Sequence, residues 1–461
     1  MDKDKVDRMN YRRITIIMIM LTILMTPLLF HSEAEAASTE QYLKVGLKYG
    51  SSSVSYCTLY SEFGFQLGTA ANRSFDEGMP LPAYTKIVIT NENGTAAIRD
   101  ENGVLLSSDL GSVGCIMPAD YEEEGILYLD NTPYRGGIML VPKSDGTLTV
   151  VNYITLEHYL YGVLNSELNY TNPIEALKAQ AVAARSFGEL NLGRHVADGF
   201  DLCGTTHCQM YKGYSGEYPS IIEAVDETRG ETIYSNGSQV TAFYFKNSGG
   251  YTQNSEDVWT YSYPYLRAVK DEYCPSYPWS TSLSFDIIRT KLEAEGFQPG
   301  NIKSLEISGR NATGAVSELK ITGDRATVYL KKEKIRTVLG ATIIKSNNFT
   351  LADSTAALGE DWIISNGYSS SHLGSGTYVI SGSGNVRKLD IENSYGSNGT
   401  ITIRYGASAS AERVTAGTVV FNGFGYGHGV GMPQDSAVAM AKQGFTYEEI
   451  LEYFYTDIEI K

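Results

Sequence analysis

The chain has 461 residues, enough for two or three domains, and 42% of them are hydrophobic, as in an ordinary globular protein. Its 37 Lys and Arg stand against 53 Asp and Glu, a formal net charge of -16 at pH 7, which excludes a nucleic-acid partner because a phosphate polymer needs a basic surface. The 33 tyrosines suit either strand packing or contact with sugar faces, where the ring covers apolar carbon and the hydroxyl makes a hydrogen bond.

The first segment reads as an export signal. Lys3, Lys5, Arg8, Arg12 and Arg13 precede an apolar run from Ile14 to Phe30, and Ala34-Glu35-Ala36 carries small residues at the spacing a signal peptidase needs. The run is slightly long for a signal and slightly short for a membrane span. Residues 1–37 are therefore a signal peptide or a membrane anchor, and the basic flank places the remainder outside the cytoplasm.

Strand alternation follows, with Leu43, Val45, Leu47 and Tyr49 on one face. Lys86–Thr90 and Ile138–Val141 are further strands, and the turn Ser144-Asp145-Gly146 leads into Leu148–Tyr153 as a hairpin. A mostly apolar stretch then ends on a lone carboxylate, Glu167. The next helix is strongly specified: Asn172 is a natural N-cap, Pro173 fits the first turn, and Glu175–Ala184 is rich in good helix formers, carrying the helix to about Leu192. Ile221–Thr228 is a second helix, closed by Arg229-Gly230, and Thr232–Tyr234 and Val240–Phe245 read as buried strands.

After Trp279 the pattern changes to a helix over Phe285–Gly296, short strands over Ser304–Ile307, Glu318–Ile321 and Ala326–Leu330, and a helix over Lys331–Val338. Residues 361–413 are rich in Ser, Gly and Asn, with strand-like pieces at Tyr378–Ile380, Lys388–Ile391 and Thr400–Tyr405, which suggests a hairpin-rich insertion. Thr418–Phe421 reads as the return to the core, closed by helices over Gln434–Lys442 and Tyr447–Tyr455. The expected class is α+β: a mixed, β-rich core with a few helices around a groove, plus a β-rich inserted or appended lobe. Residues 38–280 form the first part of the core, 281–415 the α/β lobe and insertion, and 416–461 the return.

Glu167 is the candidate catalytic residue. A carboxyl beside apolar residues prefers to be protonated and can act as a general acid near neutral pH. Glycosidases that use two carboxylates need a second acid at a set separation. None stands out: Glu175 is explained by the helix dipole, and Glu256 and Asp257 sit in a polar loop. The second cluster is His195, Cys203, His207 and Cys208, N and S ligands of the kind tetrahedral zinc takes. A closed four-ligand site would be structural, since no position remains for catalytic water. A Cys203–Cys208 disulfide is the competing reading outside the cytoplasm. Cys57 and Cys115 either pair or stay as buried thiols, and Cys274 is unpaired. Ser248-Gly249-Gly250 makes a tight turn that admits close substrate approach. A serine nucleophile there lacks the strand–elbow–helix context. Gly425–Gly431 lacks the Lys-Ser/Thr ending of a phosphate loop, so its glycines shape a groove wall and place His428 in it. Trp259 and Tyr265 are the aromatic candidates for stacking on substrate.

Several blocks in order carry a family resemblance. They are Tyr134-Arg135-Gly136, Val150-Val151-Asn152, Leu156-Glu157-x-Tyr159-Leu160 and Ala179–Arg185, followed by Asn247-Ser248-Gly249-Gly250-x-Thr252, Val258-Trp259, Pro264-Tyr265-Leu266 and Gly425–Gln434. Together they resemble the stage II sporulation protein D / LytB family from about Tyr42 onward. Two departures stand out: Tyr426 where the family usually has Trp, and Pro433-Gln434-Asp435-Ser436 where it usually has Ser-Gln-Tyr-Gly. The resemblance implies an exported peptidoglycan lytic transglycosylase with Glu167 as acid/base, or else a non-catalytic enhancer of a cell-wall amidase. It implies peptidoglycan glycan strands as substrate and an amidase or endopeptidase partner that strips stem peptides. It places Arg185 near the glutamate, where it binds substrate or orients the groove; a surface ion pair with Glu189 is the plain alternative. Some family members bind zinc at a comparable Cys/His cluster.

Overall fold

The computed structural model describes residues 41–123, 125–353, 378–380, 386–388, 413–415 and 417–461. The N-terminal signal or anchor and most of the Ser/Gly-rich insertion, including Thr400–Tyr405, lie outside the described residues. Among the described residues no helix is long and apolar enough to cross a membrane.

The chain is α+β and β-rich, as its alternation predicts. Two sheets pack face to face at the N-terminal end. One has seven strands in the order Leu202–Cys203, Tyr42–Lys48, Leu148–Thr155, Gly137–Pro142, Gly114–Pro118, Phe65–Ala71 and Ser74–Leu81. The other has six, with Tyr56–Tyr60 and Lys86–Glu92 at its centre. Alternate side chains from both, among them Leu59, Ile87, Ile89, Ile116, Ile138 and Val150, fill the space between them. The expected hairpin is present: Gly137–Pro142 pairs antiparallel with Leu148–Thr155, and Lys143 N–H donates to Thr147 O at 2.8 Å. Cys57 and Cys115 sit in different clusters, and all five cysteines are free thiols.

The seven-stranded sheet runs directly into helix α1 (Leu156–Glu167), capped by Thr155, whose side chain accepts from His158 N–H. Helix α2 (Ile174–Leu190) starts one residue later than its sequence suggests. Asn172 does not cap it, because its side-chain amide donates to Asn169 O at 2.9 Å and closes the preceding turn. The helix therefore begins with Pro173 O accepting from Ala176 and Leu177. Helix α3 (Pro219–Asp226) packs on both, and the one-turn α4 (Ser255–Val258) follows the Ser248-Gly249-Gly250 turn.

The lobe has its own apolar core, built from Trp279, Leu283, Ile288, Leu305, Leu319, Leu330, Leu339 and Phe421 among others. It contains α5 (Phe285–Ala294), α6 (Lys334–Leu339) and a four-stranded sheet centred on Ile302–Arg310 and Val316–Gly323. The segment expected to re-enter the core at Thr418–Phe421 belongs here instead. Thr418–Phe424 pairs with Pro278–Ser284 and Phe349–Asp353, because Val419 and Phe421 complete the lobe's core. The chain returns through Gly425–Gly431 to a parallel pairing of Met432–Pro433 with Tyr244–Phe245. Helices α7 (Gln434–Ala441) and α8 (Tyr447–Phe454) close the molecule. Val240–Phe243, expected as strand, carries no ladder; only Tyr244–Phe245 pairs.

Arg185 is the principal correction to the sequence reading. It is fully buried, and the Glu189 carboxylate accepts from Gln239 rather than pairing with it. Its Nε and Nη2 donate to both carboxylate oxygens of Glu157 on α1, at 2.9 and 2.7 Å. Nη1 donates to Glu231 O at 3.0 Å and Nη2 to Val225 O at 3.2 Å. A guanidinium so enclosed cannot bind substrate; it joins α1, α2 and the end of α3. Arg185→Met should lower unfolding free energy by about 3–5 kcal/mol, because it strands the Glu157 charge. Pairing it with Glu157→Met should recover much of that loss, as read by urea denaturation.

Candidate active site and metal centre

Glu167 is the last residue of α1 and is half-buried. The parallel pairing of Met432–Pro433 with Tyr244–Phe245 brings the first residue of α7 beside it, so Gln434 Nε2 faces Glu167 Oε2 at 3.4 Å. The same amide nitrogen lies 3.4 Å from Gln180 Oε1 on α2. Gln180 Nε2 is buried and has no hydrogen-bond partner among the described residues. Burial pushes the Glu167 carboxyl above its ordinary value, partly offset by the Gln434 amide and the Met210 backbone, which favour the carboxylate. Other acids that the sequence offers are engaged: Glu175 with Lys178 and Tyr447 N–H, and Glu256 with Arg267 through two short contacts.

The Cys/His residues come together, although their spacing matches no zinc ribbon or finger. One ligand atom from each of His195, Cys203, His207 and Cys208 lies within 4.8 Å of all the others. His195 Nε2 and His207 Nδ1 are 3.3 Å apart. The sulfur–nitrogen separations are 3.5 Å from Cys208 to His195, and 3.6 Å from each of Cys203 and Cys208 to His207. A tetrahedral zinc with bonds of about 2.05 Å to nitrogen and about 2.3 Å to sulfur has N–N edges of about 3.3 Å and N–S edges of about 3.6 Å. Four of the six ligand–ligand edges thus match those of a tetrahedral ion, and the donor set is one that zinc takes.

Sequence reasoning missed what joins the two clusters. Gln209, next after Cys208, is buried. Its Oε1 accepts from Tyr159 OH at 3.2 Å, and its Nε2 donates to Ala184 O at 3.2 Å and Tyr244 OH at 3.0 Å. It therefore ties the Cys/His loop to α1, α2 and the Tyr244 strand, while Met210 faces Glu167. The signal was adjacency: a polar residue between a ligand cysteine and the residue over the acid.

The other expected groove residues lie elsewhere. Side chains alternate along a strand, so Tyr244 faces Glu167 while Phe245 faces the opposite side. On that side His428 packs against Phe245 and Trp259, with ring centroids 5.4 and 5.2 Å away. Its Nδ1 accepts from Val430 N–H at 3.1 Å, and burial pulls its pKa down to about 4, so it is neutral at pH 7. His428 lines a small polar cavity between core and lobe with Gln253, Asn311 and Asn347. Trp259 is half-buried at the same junction, where its carbonyl accepts from Lys332. Tyr265 is a core residue, 6% exposed, its hydroxyl donating to Thr241 O at 3.2 Å. It has no ring face free for a sugar. Ser248 donates to the buried Asp271, which also accepts from Ser436. Gly249 is needed because a Cβ there would sit 2.8 Å from Phe424 O at φ 66°. Of that turn, Gly250 alone has open space around it.

The raised pKa of Glu167 has a consequence for stability. Ionisation costs the folded state fully above the folded pKa and not at all below the unfolded value near 4.3. Glu167→Gln should therefore raise the melting temperature at pH 8 and leave it unchanged at pH 4. An equal change at both pH values would show a carboxyl that is not desolvated.

Comparison with known proteins agrees with this geometry. A family model described as stage II sporulation protein matches residues 144–234, which span α1, α2, the Cys/His loop and α3. A domain of unknown function matches residues 269–368. The stage II sporulation protein D of Bacillus subtilis (strain 168) is 30% identical over 327 residues, 67% of this chain and 75% of that protein. The amidase enhancer of the same organism is 28% identical over 420 residues, 79% of this chain but 49% of that protein, so the chain spans about half its length. An uncharacterized protein of Brachyspira hyodysenteriae is 28% identical over 348 residues, 73% of this chain and 77% of that one. With the helix pair and its terminal glutamate in place, the chain belongs to the stage II sporulation protein D / LytB family.

Proposed function

We propose that this protein is an exported lytic transglycosylase that cleaves peptidoglycan glycan strands. The observation that carries the reading is Glu167: a single carboxyl, raised by burial, with neutral amide neighbours and no second acid paired to it among the described residues. Such a group is favoured by burial in its protonated form, the form a general acid needs. It gives its proton to the glycosidic oxygen as the bond to the muramyl anomeric carbon breaks. The muramyl primary hydroxyl then attacks that carbon, and its proton passes to the Glu167 carboxylate. One C–O bond breaks, one forms, and the acid is regenerated without water. If the protein acts like the sporulation members, its substrate is glycan already stripped of stem peptides, which requires an amidase or endopeptidase partner. Its place is then outside the cytoplasm, in the wall or on a membrane anchor formed by residues 1–37.

His195, Cys203, His207 and Cys208 would hold a structural zinc. With four protein ligands, its contribution is to fix the loop that carries Gln209 and Met210.

The relative named amidase enhancer favours a second reading, in which the chain stimulates a cell-wall amidase without cutting glycan. Glu167→Gln separates the two. On purified peptide-free strands, the transglycosylase reading expects a loss of about a hundred- to ten-thousand-fold and wild-type products with anhydro-muramic ends by mass spectrometry. Reducing ends would overturn the mechanism, and an unchanged rate would overturn the role of Glu167. Purified protein should also hold about one zinc per chain under reducing conditions, and chelation should lower its melting temperature. Metal-free protein whose Cys203 and Cys208 resist alkylation until reduced would show a disulfide instead.

A further inference from the structure

Gln434 meets Glu167 because the first turn of α7 is held in one orientation. Pro433, just before that turn, has no polar side chain to cap it. The bonds that hold it come from elsewhere in the chain. Ser436, the third residue of α7, is fully buried and donates to Asp271 Oδ2 at 2.6 Å. Ser248 Oγ donates to the same oxygen at 2.5 Å, and Asp271 Oδ1 accepts from Tyr273 N–H at 3.2 Å. The Asp271 backbone N–H donates to Gly250 O at 3.0 Å. Asp271 is thus locked to the Ser248-Gly249-Gly250 turn on one side and to α7 on the other.

A carboxyl is costly to bury in this way. Asp271 is 5% exposed, and among the described residues it pairs with no cation. Burial pushes its pKa above the ordinary value, and the hydroxyls of Ser248 and Ser436 partly restore it. Successive residues of a helix are about 100° apart, so Gln434 and Ser436 face nearly opposite sides of α7. A bond on the Ser436 side therefore sets how the helix is rolled, and with it where the Gln434 amide points. Asp435, between them, accepts from Asn247 Nδ2 at 3.0 Å and pairs with Lys246, a partly exposed contact of modest strength.

We propose that Asp271 is a positioning residue: through Ser436 it fixes the roll of α7 and so keeps the Gln434 amide on the Glu167 carboxyl. The inference rests on the reading of Glu167 as the general acid. Asp271 acts through α7, not by contact with Glu167. Its effect is to place the one side-chain donor that meets the Glu167 carboxylate once the proton has left.

The test is an NMR titration of Glu167 in full-length protein labelled at the glutamate carboxyl carbons, with the resonance assigned by its loss in Glu167→Gln. Gln434→Met removes the donor and should raise the Glu167 pKa by about half a pH unit, the scale of one long hydrogen bond to a charged oxygen. Ser436→Ala should give the same upward shift, and Ser436→Thr should restore the native value. Adding Ser436→Ala to Gln434→Met should change nothing further, because both act on one contact. Asp271→Ala should also raise the pKa, whereas loss of a negative charge acting at a distance would lower it. If Asp271→Ala does not fold, the Ser436 variants decide. No shift in Ser436→Ala, shifts that add in the double variant, or a fall in Asp271→Ala overturns the proposal. In the active enzyme the alkaline limb of kcat/KM should move with the resonance. The titration is read without substrate, so a failure of Glu167 as the acid appears separately, as glycan cut at the same rate with and without Glu167→Gln.

Discussion

The helical core depends on one buried guanidinium. Taking a charge out of water costs several kcal/mol unless it is paired and its donors are used. Arg185 meets that condition through both oxygens of Glu157 and the carbonyls of Val225 and Glu231. Those four acceptors come from α1, the end of α3 and the segment that follows it, so the guanidinium ties all of them to α2. The consequence reaches the candidate active site. Glu157 and Glu167 are ten residues apart on one helix, about 15 Å along its axis. Fixing the first turn of α1 against α2 therefore sets where its last residue points.

At that last residue the surroundings are chosen for weak polarity. An ammonium or guanidinium within about 4–6 Å would favour the carboxylate and abolish a general acid. The structure instead supplies amides: Gln434 at a long 3.4 Å, with Gln180 behind it and Gln209 nearby. The end of a helix adds to the effect, because the unpaired carbonyls of its last turn disfavour negative charge there. The buried phenols of Tyr159 and Tyr244 stay un-ionised for the same reason of desolvation. A carboxyl held this way is protonated over a wider range than an exposed one, and the Gln434 amide is placed to donate to its ionised form.

The contributors to this site come from distant parts of the chain. Gln434 arrives only after the lobe has been made, through Gly425–Gly431, whose glycines pass backbone against backbone: Gly425 has φ 83° and a Cβ there would stand 2.8 Å from Asn247 O. The lobe is tied to the core by Lys332, which donates to the carbonyls of Glu256 and Trp259. Its own cluster of apolar side chains makes it a packed unit rather than a loop. The Cys/His loop performs three tasks in sequence order. Its ligands gather, Gln209 anchors it to both helices, and the Met210 backbone meets the Glu167 carboxyl.

What the sequence determined by itself is local and periodic. The hairpin around Ser144–Gly146, the alanine-rich α2, the lobe's strands and the closing helices follow from alternation, helix propensity and turn residues, which act within a few positions. Glu167 was legible as a carboxyl ending an apolar run, and the Cys/His cluster as four soft ligands in one short stretch. Tertiary structure decided which face each residue turned to whom. Arg185 and Tyr265 carry polar groups that suit a substrate, but the packing enclosed them and gave those groups internal partners. Ser248 and Gly249 looked like a substrate turn and proved to be a close contact with Asp271 and the Phe424 carbonyl. Gln434 lies 267 positions from Glu167, and no periodicity reaches that far. Only the closing of the sheet and the burial of its apolar faces brings the two together.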